Sequence, residues 1–111
     1  MMQKNNRTIA FVCTGNTCRS PMAEAIFNDM AEKNGVCVRA ESFGIATSTG
    51  LPVSENSVIA CKEIGIDLSG KASTAVADAG IEKYEKFYCM SQSHAKMLLS
   101  LIHISEPTRL R

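Results

Sequence analysis

The stretch Val12-Cys13-Thr14-Gly15-Asn16-Thr17-Cys18-Arg19-Ser20-Pro21 decides how this chain is read. Just before its cysteine, Ile9-Ala10-Phe11-Val12 is a continuous apolar run. Such a run is the pattern of a strand buried on both faces of a parallel sheet. Gly15 and Asn16 break it, and both residue types tolerate left-handed backbone angles. Pro21 suits the first position of a helix. Met22, Ile26 and Met30 then share one face at i, i+4 spacing, with Ala23 and Phe27 beside them. Gly35 is a credible stop. A tight loop therefore joins a buried strand to an amphipathic helix, with Cys13 at the strand's end and Arg19 at the helix start.

Working outward, Val36-Cys37-Val38-Arg39-Ala40-Glu41-Ser42 reads as a second strand, and Gly44 to Pro52 as a loop rich in Gly, Ser and Thr. Ser54 is placed to cap a second helix that carries Val58, Ile59 and Ile64 and ends at Gly65. Lys86-Phe87-Tyr88-Cys89-Met90 reads as a third strand, followed by Ser91 capping a helix from near Gln92. The alternation of strand and helix predicts an α/β fold, an open parallel sheet with flanking helices and right-handed crossovers. Ser100 to Arg111 loses helical periodicity and contains Pro107. Leu99 to Arg109 looks like a translated sequencing-adapter frame. The expectation is one domain over 1–98 and a non-native tail over 99–111.

Composition narrows the function classes. A length of 111 residues allows one domain, and 45% hydrophobic with 21% charged residues is a globular mixture. Twelve basic against eleven acidic residues, a net charge of +1, give no electrostatic footprint for nucleic acid or an anionic membrane. No apolar run reaches the roughly 20 residues of a membrane span. The N-terminus has no secretory pattern. Five cysteines without a paired framework favour a reducing cytoplasm.

No metal or cofactor is expected. Cys13 and Cys18 lack a second pair at ligand spacing, and His94 and His103 do not complete a set. His94, alone in a helical first turn, reads as a surface residue. Gly65 to Ala72 nearly matches a nucleotide-binding loop. It lacks the hydroxyl for magnesium, since Ala72 stands there, and it follows a helix rather than a strand.

The chemistry lies in the first loop. Open α/β sheets bind ligands at the C-terminal ends of their strands. A loop curling there into a helix N-terminus offers backbone N–H groups, from Thr14, Gly15, Asn16, Thr17 and Cys18, to an anion. Arg19 adds a planar fork suited to two phosphate oxygens. The same positive field stabilises a thiolate at Cys13. A thiolate beneath a bound phosphoryl group is in line to attack phosphorus, and Ser20 is within reach of the sulfur or the loop.

Val12 to Ile26 resembles the signature of the low-molecular-weight protein-tyrosine-phosphatase family. The similarity continues through Glu41-Ser42-Phe43-Gly44 and Tyr88-Cys89-Met90. The resemblance implies a phosphotyrosine protein phosphatase I-like, Rossmann-like three-layer fold, here without the family's last strand and C-terminal helix. It implies Cys13 as nucleophile, Arg19 as the phosphoryl-binding group and Asn16 as the loop's internal brace, supported by Ser42. Ser20 assists the leaving thiolate when the phosphocysteine is hydrolysed. Partners would be a phosphorylated protein, and phosphate or another oxyanion in the loop.

Thr17 stands where tyrosine-directed members usually carry a bulky aliphatic residue. The run Cys13 to Ala25 is similar to the bacterial protein-arginine-phosphatases of the family, which favours phosphoarginine over phosphotyrosine as substrate. Cys18 would trap oxidised Cys13 as a disulfide. Cys37, Cys61 and Cys89 read as inert core residues.

Three departures from the family pattern stand out. The chain has no Asp-Pro for the general acid, and its last aspartate is Asp78. The position of a loop-bracing histidine is matched by Gly70, followed by Lys71. Phe43 replaces a small residue. Two rival readings stay open: an arsenate reductase on the same fold, whose cysteine relay Cys61 and Cys89 do not support, and a non-catalytic phosphoanion-binding remnant.

Overall fold

A computed structural model describes residues 7–105. Strand β1 (Arg7–Cys13) lies in the middle of a three-stranded parallel sheet, between β2 (Val38–Gly44) and β3 (Lys86–Cys89). Its register runs from Arg7 opposite Val38 to Cys13 opposite Gly44, and from Ile9 opposite Lys86 to Val12 opposite Cys89. The central place explains the unbroken apolar run, because a middle strand of a parallel sheet is covered on both faces. Helices α1 (Arg19–Lys33), α2 (Glu55–Glu63) and α3 (Val76–Ala79) lie in the connections, with a 3-10 turn at Ile81–Lys83, and α4 (Gln92–Ser105) follows β3.

The period of two along β1 sorts these helices into layers. Ala10 and Val12 point to one face, where they are fully buried with Phe43, Tyr84, Ala79 of α3 and Leu98 of α4. Phe11 points to the other, edge-on to Phe27 of α1 at 6.1 Å and beside Tyr88 at 5.7 Å. A second cluster, Val53, Cys61 and Leu68 with Met22 and Ala25, packs α2 onto α1. The sheet is thus the middle of three layers. Phe43, large where a small residue was usual, fills the first cluster together with Tyr84 and Phe87.

Several boundaries and faces differ from the sequence reading. Helix α1 opens at Arg19 rather than Pro21. Pro21 still lies in the first turn, where an N–H has no intrahelical acceptor to lose. The inward face of α1 keeps Met22 and Phe27, as expected, but at its end Ala31 is buried whereas Met30 is 57% exposed. The expected α2 face holds only in part: Val58 packs inward beside buried Ser57 and Cys61, while Ile59 and Ile64 are half exposed. Strand β2 starts at Val38, because α1 closes in a turn with Gly35 at φ 67° and the Val36 N–H reaching back to the Ala31 carbonyl at 2.9 Å. Cys37 is consequently exposed, not a core residue.

Helix α4 continues through Ser105, beyond the point at which periodicity was expected to fail. It is anchored by buried Leu98. The rest of the suspected tail, 106–111, lies outside the described residues. The caps are as expected: Ser54 accepts from the Ser57 N–H at 3.3 Å and Ser91 from the His94 N–H at 3.2 Å.

Glu41 on β2 gives the fold an acid-sensitive tie. Burial pushes its carboxyl upward, but the Tyr84 hydroxyl at 2.7 Å and the Lys83 ammonium at 3.0 Å outweigh that and hold it below the ordinary value of 4.5. A carboxyl depressed on folding stabilises the fold above its unfolded value and loses that contribution as pH falls through the folded one. Glu41→Gln is therefore expected to flatten the fall in urea midpoint between about pH 5 and pH 3. An unchanged slope would assign the acid sensitivity to other carboxyls.

Candidate active site

The chain leaves β1 at Cys13 and enters α1 at Arg19, and the five residues between them wrap around the end of the central strand. Asn16, 1% exposed, is the one residue here with a left-handed backbone, at φ 56°. Gly15, the other candidate for such an angle, does not use it. The backbone N–H of Asn16 points at Cys13 Sγ at 3.1 Å. Ser20, fully buried in the first turn of α1, places Oγ 2.8 Å from the same sulfur.

The Asn16 side chain fixes the direction of these bonds. Its Nδ2 donates to Ser20 Oγ at 2.7 Å and to Ser42 Oγ at 2.9 Å. An amide nitrogen only donates, so both hydroxyls accept from it and keep their own protons for other partners. Ser20 therefore donates to Cys13 Sγ, and Ser42 donates to Glu24 Oε1 at 2.6 Å. Asn16 Oδ1 accepts the Thr74 N–H at 2.7 Å, so every polar atom of this buried amide is used. Two donors converge on the sulfur, and both are held by one asparagine.

No side chain caps the start of α1. Its positive end is left facing the loop. Arg19, its first residue, is exposed, as are Thr14 and Cys18. The Thr17 carbonyl is pinned by the Ser54 N–H at 2.7 Å. Ser57 of α2 donates to Cys18 Sγ at 3.3 Å, and both Cys13 and Cys18 are free thiols. Gly44 matters for space. A Cβ there would lie 2.6 Å from the Thr14 carbonyl oxygen and 2.8 Å from Thr47, so only glycine lets the loop sit on the end of β2.

The sequence doubted the bracing of this loop, because Gly70 and Lys71 replace the expected histidine. The structure corrects that doubt. Thr74 supplies the bracing N–H from its backbone, which any residue but proline could do, so no side-chain signal marks it. Lys71 Nζ pairs with Glu24 Oε2 at 3.0 Å and thereby holds the carboxylate that holds Ser42. Lys71→Met would leave a largely buried carboxylate without its cation. The expected cost is about 1–2 kcal/mol, below that of a fully buried pair. Denaturant unfolding measures it, and adding Glu24→Gln should return most of the loss, because neutral Gln still accepts from Ser42.

One further expectation is corrected. His94 is not a surface residue: it is 7% exposed and its Nε2 lies 2.7 Å from Thr14 Oγ1. Burial pushes the thiols of Cys61 and Cys89 upward, away from the reactive form, in line with their reading as inert. Among the described residues, no group of three His, Cys, Asp or Glu is gathered to hold a metal, and no helix is long and apolar enough to cross a membrane.

With this geometry in hand, similarity to known proteins becomes informative. The chain is 37% identical over 92 residues to a protein-arginine-phosphatase of Bacillus subtilis, covering 83% of this chain and 61% of that protein. It is 41% identical over 73 residues to an arsenate reductase of Brevibacillus brevis, covering 66% and 50%. Its backbone matches a YwlE arginine phosphatase mutant with a phosphorylated active-site serine at TM-score 0.82 and 34% identity, covering 87% of this chain and 63% of that one. The chain thus spans between half and just under two thirds of the length of these relatives. The pattern of the low molecular weight phosphotyrosine protein phosphatases matches residues 8–109, and by that match, on a sheet that delivers a cysteine into a braced loop at a helix start, the chain belongs to this family.

Proposed function

We propose that this chain removes phosphate from arginine on proteins by way of a phosphocysteine at Cys13. The observation that carries the reading is the double hydrogen bond onto Cys13 Sγ, from Ser20 and the Asn16 N–H, at the mouth of an uncapped helix. The sulfur attacks phosphorus and forms an S–P bond as the P–N bond breaks. The leaving guanidine takes up a proton, and water then cleaves the S–P bond to release inorganic phosphate. Arg19 and the loop amides bind the phosphoryl oxygens and carry their developing charge. Ser20, already donating to the sulfur, receives the thiolate as it leaves.

Support for covalent transfer comes from the related arginine phosphatase whose active-site serine is phosphorylated. Phosphoarginine is favoured over phosphotyrosine by Thr17 and by the identity to a protein-arginine-phosphatase. A hydroxyl in the pocket discriminates by hydrogen bonding far more than one methylene does by size. The P–N bond of phosphoarginine is also labile, so its cleavage asks less of a general acid. Asp78 is engaged by the Thr49 hydroxyl at 2.5 Å. The partners proposed are phosphorylated cytoplasmic proteins.

Cys18 is proposed as the thiol that captures oxidised Cys13. The division at Leu98, with 99–111 foreign to the domain, belongs to the same proposal, and the full reading frame tests it.

The direct test compares kcat/KM on phosphoarginine and phosphotyrosine peptides. The expected result is a preference for phosphoarginine that Thr17→Ile moves toward phosphotyrosine by about tenfold or more. Equal preference before and after the substitution would remove Thr17 from specificity. Arsenate-dependent oxidation of a thiol reductant would instead support the reductase reading.

A further inference from the structure

The first residue of the loop is tied to an element far along the chain. Thr14 Oγ1 meets Nε2 of His94, in the first turn of α4, across 80 residues of sequence. Two backbone bonds hold the same segment: the Ile45 N–H reaches the Cys13 carbonyl and the Ala46 N–H the Thr14 carbonyl, each at 3.0 Å. The His94 tie is the side-chain member of this set. Its base is rigid, because Leu98, one turn further along α4, is buried against Ala10, Val12 and Phe43, and the Met90 N–H extends the β3 ladder to the Val12 carbonyl at 2.9 Å.

The other ring nitrogen settles the direction of the bond. His94 Nδ1 is buried with no hydrogen-bond partner among the described residues. A buried N–H without an acceptor costs more than a lone pair without a donor. The favoured tautomer therefore carries its proton on Nε2 and donates it to Thr14 Oγ1. Thr14, itself exposed, then keeps its hydroxyl proton for a further acceptor.

We infer that His94 is a positioning residue of the phosphate-binding loop, locking Thr14 by a one-way donor bond so that the loop entry is preorganised for an oxyanion. The inference rests on the proposed phosphoanion chemistry of that loop. Preorganisation matters because donors that must be reordered at the moment of binding contribute less to it.

The test measures inorganic phosphate binding by calorimetry in the full chain and four variants. His94→Phe keeps the volume without the nitrogen and is expected to weaken phosphate about tenfold, the scale of one lost internal hydrogen bond. His94→Gln, whose Nε2 can donate from a similar place, should restore most of it. Thr14→Val, at an exposed position that does not threaten folding, should weaken binding by a similar factor. The double variant of His94→Phe with Thr14→Val should bind no more weakly than Thr14→Val alone, since that substitution already breaks the bond to His94. Nitrogen-15 NMR of the ring should report a proton on Nε2.

Multiplying effects, a glutamine that restores nothing, or a proton on Nδ1 overturns the inference while leaving the loop an anion site. A parent chain that binds no phosphate overturns the proposed function, and the inference with it.

Discussion

Cys13→Ser is expected to abolish turnover of a phosphoarginine substrate, lowering kcat by about 10⁴-fold or more, the scale seen when a catalytic nucleophile is removed. A hydroxyl is a far weaker nucleophile than a sulfur held by two donors, and a far worse leaving group. The loop that binds the anion is untouched, because Asn16 still holds Ser20, Ser42 and the Thr74 N–H in place. Phosphate affinity should therefore stay near that of the parent chain. In rapid-quench experiments the parent should release a burst of dephosphorylated product, because the S–P bond forms before it is hydrolysed and its hydrolysis is the slower step. Mass spectrometry of the quenched chain should find the phosphate on Cys13. The serine variant should show no burst, and any phosphate that reaches it should stay as phosphoserine. Unchanged turnover in Cys13→Ser would refute the nucleophile. Phosphate binding with no burst in the parent would reduce the chain to a binding module.

Asn16→Ala is expected to cost both stability and activity, for two separable reasons. Alanine at φ 56° pays about 1–2 kcal/mol for a left-handed backbone. Loss of the amide also strips the Thr74 N–H of its acceptor and frees the hydroxyls of Ser20 and Ser42, adding about 1–3 kcal/mol. The sum, about 2–5 kcal/mol, is a large part of the stability of a small domain. Activity should fall about 10²-fold, the scale of a reacting group displaced by an ångström. Asn16→Gly separates the causes: glycine accepts the backbone angle and should recover the first 1–2 kcal/mol, measured by urea unfolding, but none of the activity. If Asn16→Gly restores kcat/KM, the backbone angle alone shapes the loop and the side-chain network is secondary. If Asn16→Ala melts and turns over like the parent, neither matters.

Both predictions act on a loop whose parts came from different distances along the chain, and that distance governed what could be read in advance. Cys13, Asn16, Arg19 and Ser20 lie within one strand–loop–helix unit. An apolar run, a Gly-Asn break and a Ser-Pro start fix its local geometry with little help from elsewhere. The same locality made the caps at Ser54 and Ser91 readable. Helix faces were less readable: Met30 obeys the apolar spacing yet faces solvent, while Ala31 packs inward. Spacing gives the period of a helix, but the angle at which it lies on the sheet selects the face.

The sequence by itself determined the α/β alternation, the central buried strand and the placing of a cysteine, an asparagine and an arginine in one tight turn, because these follow from residue type and short-range spacing. Beyond Ser42, which the resemblance had already set against Asn16, only the tertiary structure decided what holds that turn. Thr74 and His94 stand 58 and 80 residues from the loop residues they touch, and Lys71 reaches Glu24 across 47. Nothing in a one-dimensional pattern marks such pairs. They form because parallel pairing sets β2 and β3 on either side of β1 and brings the chain leaving all three strands to the same edge.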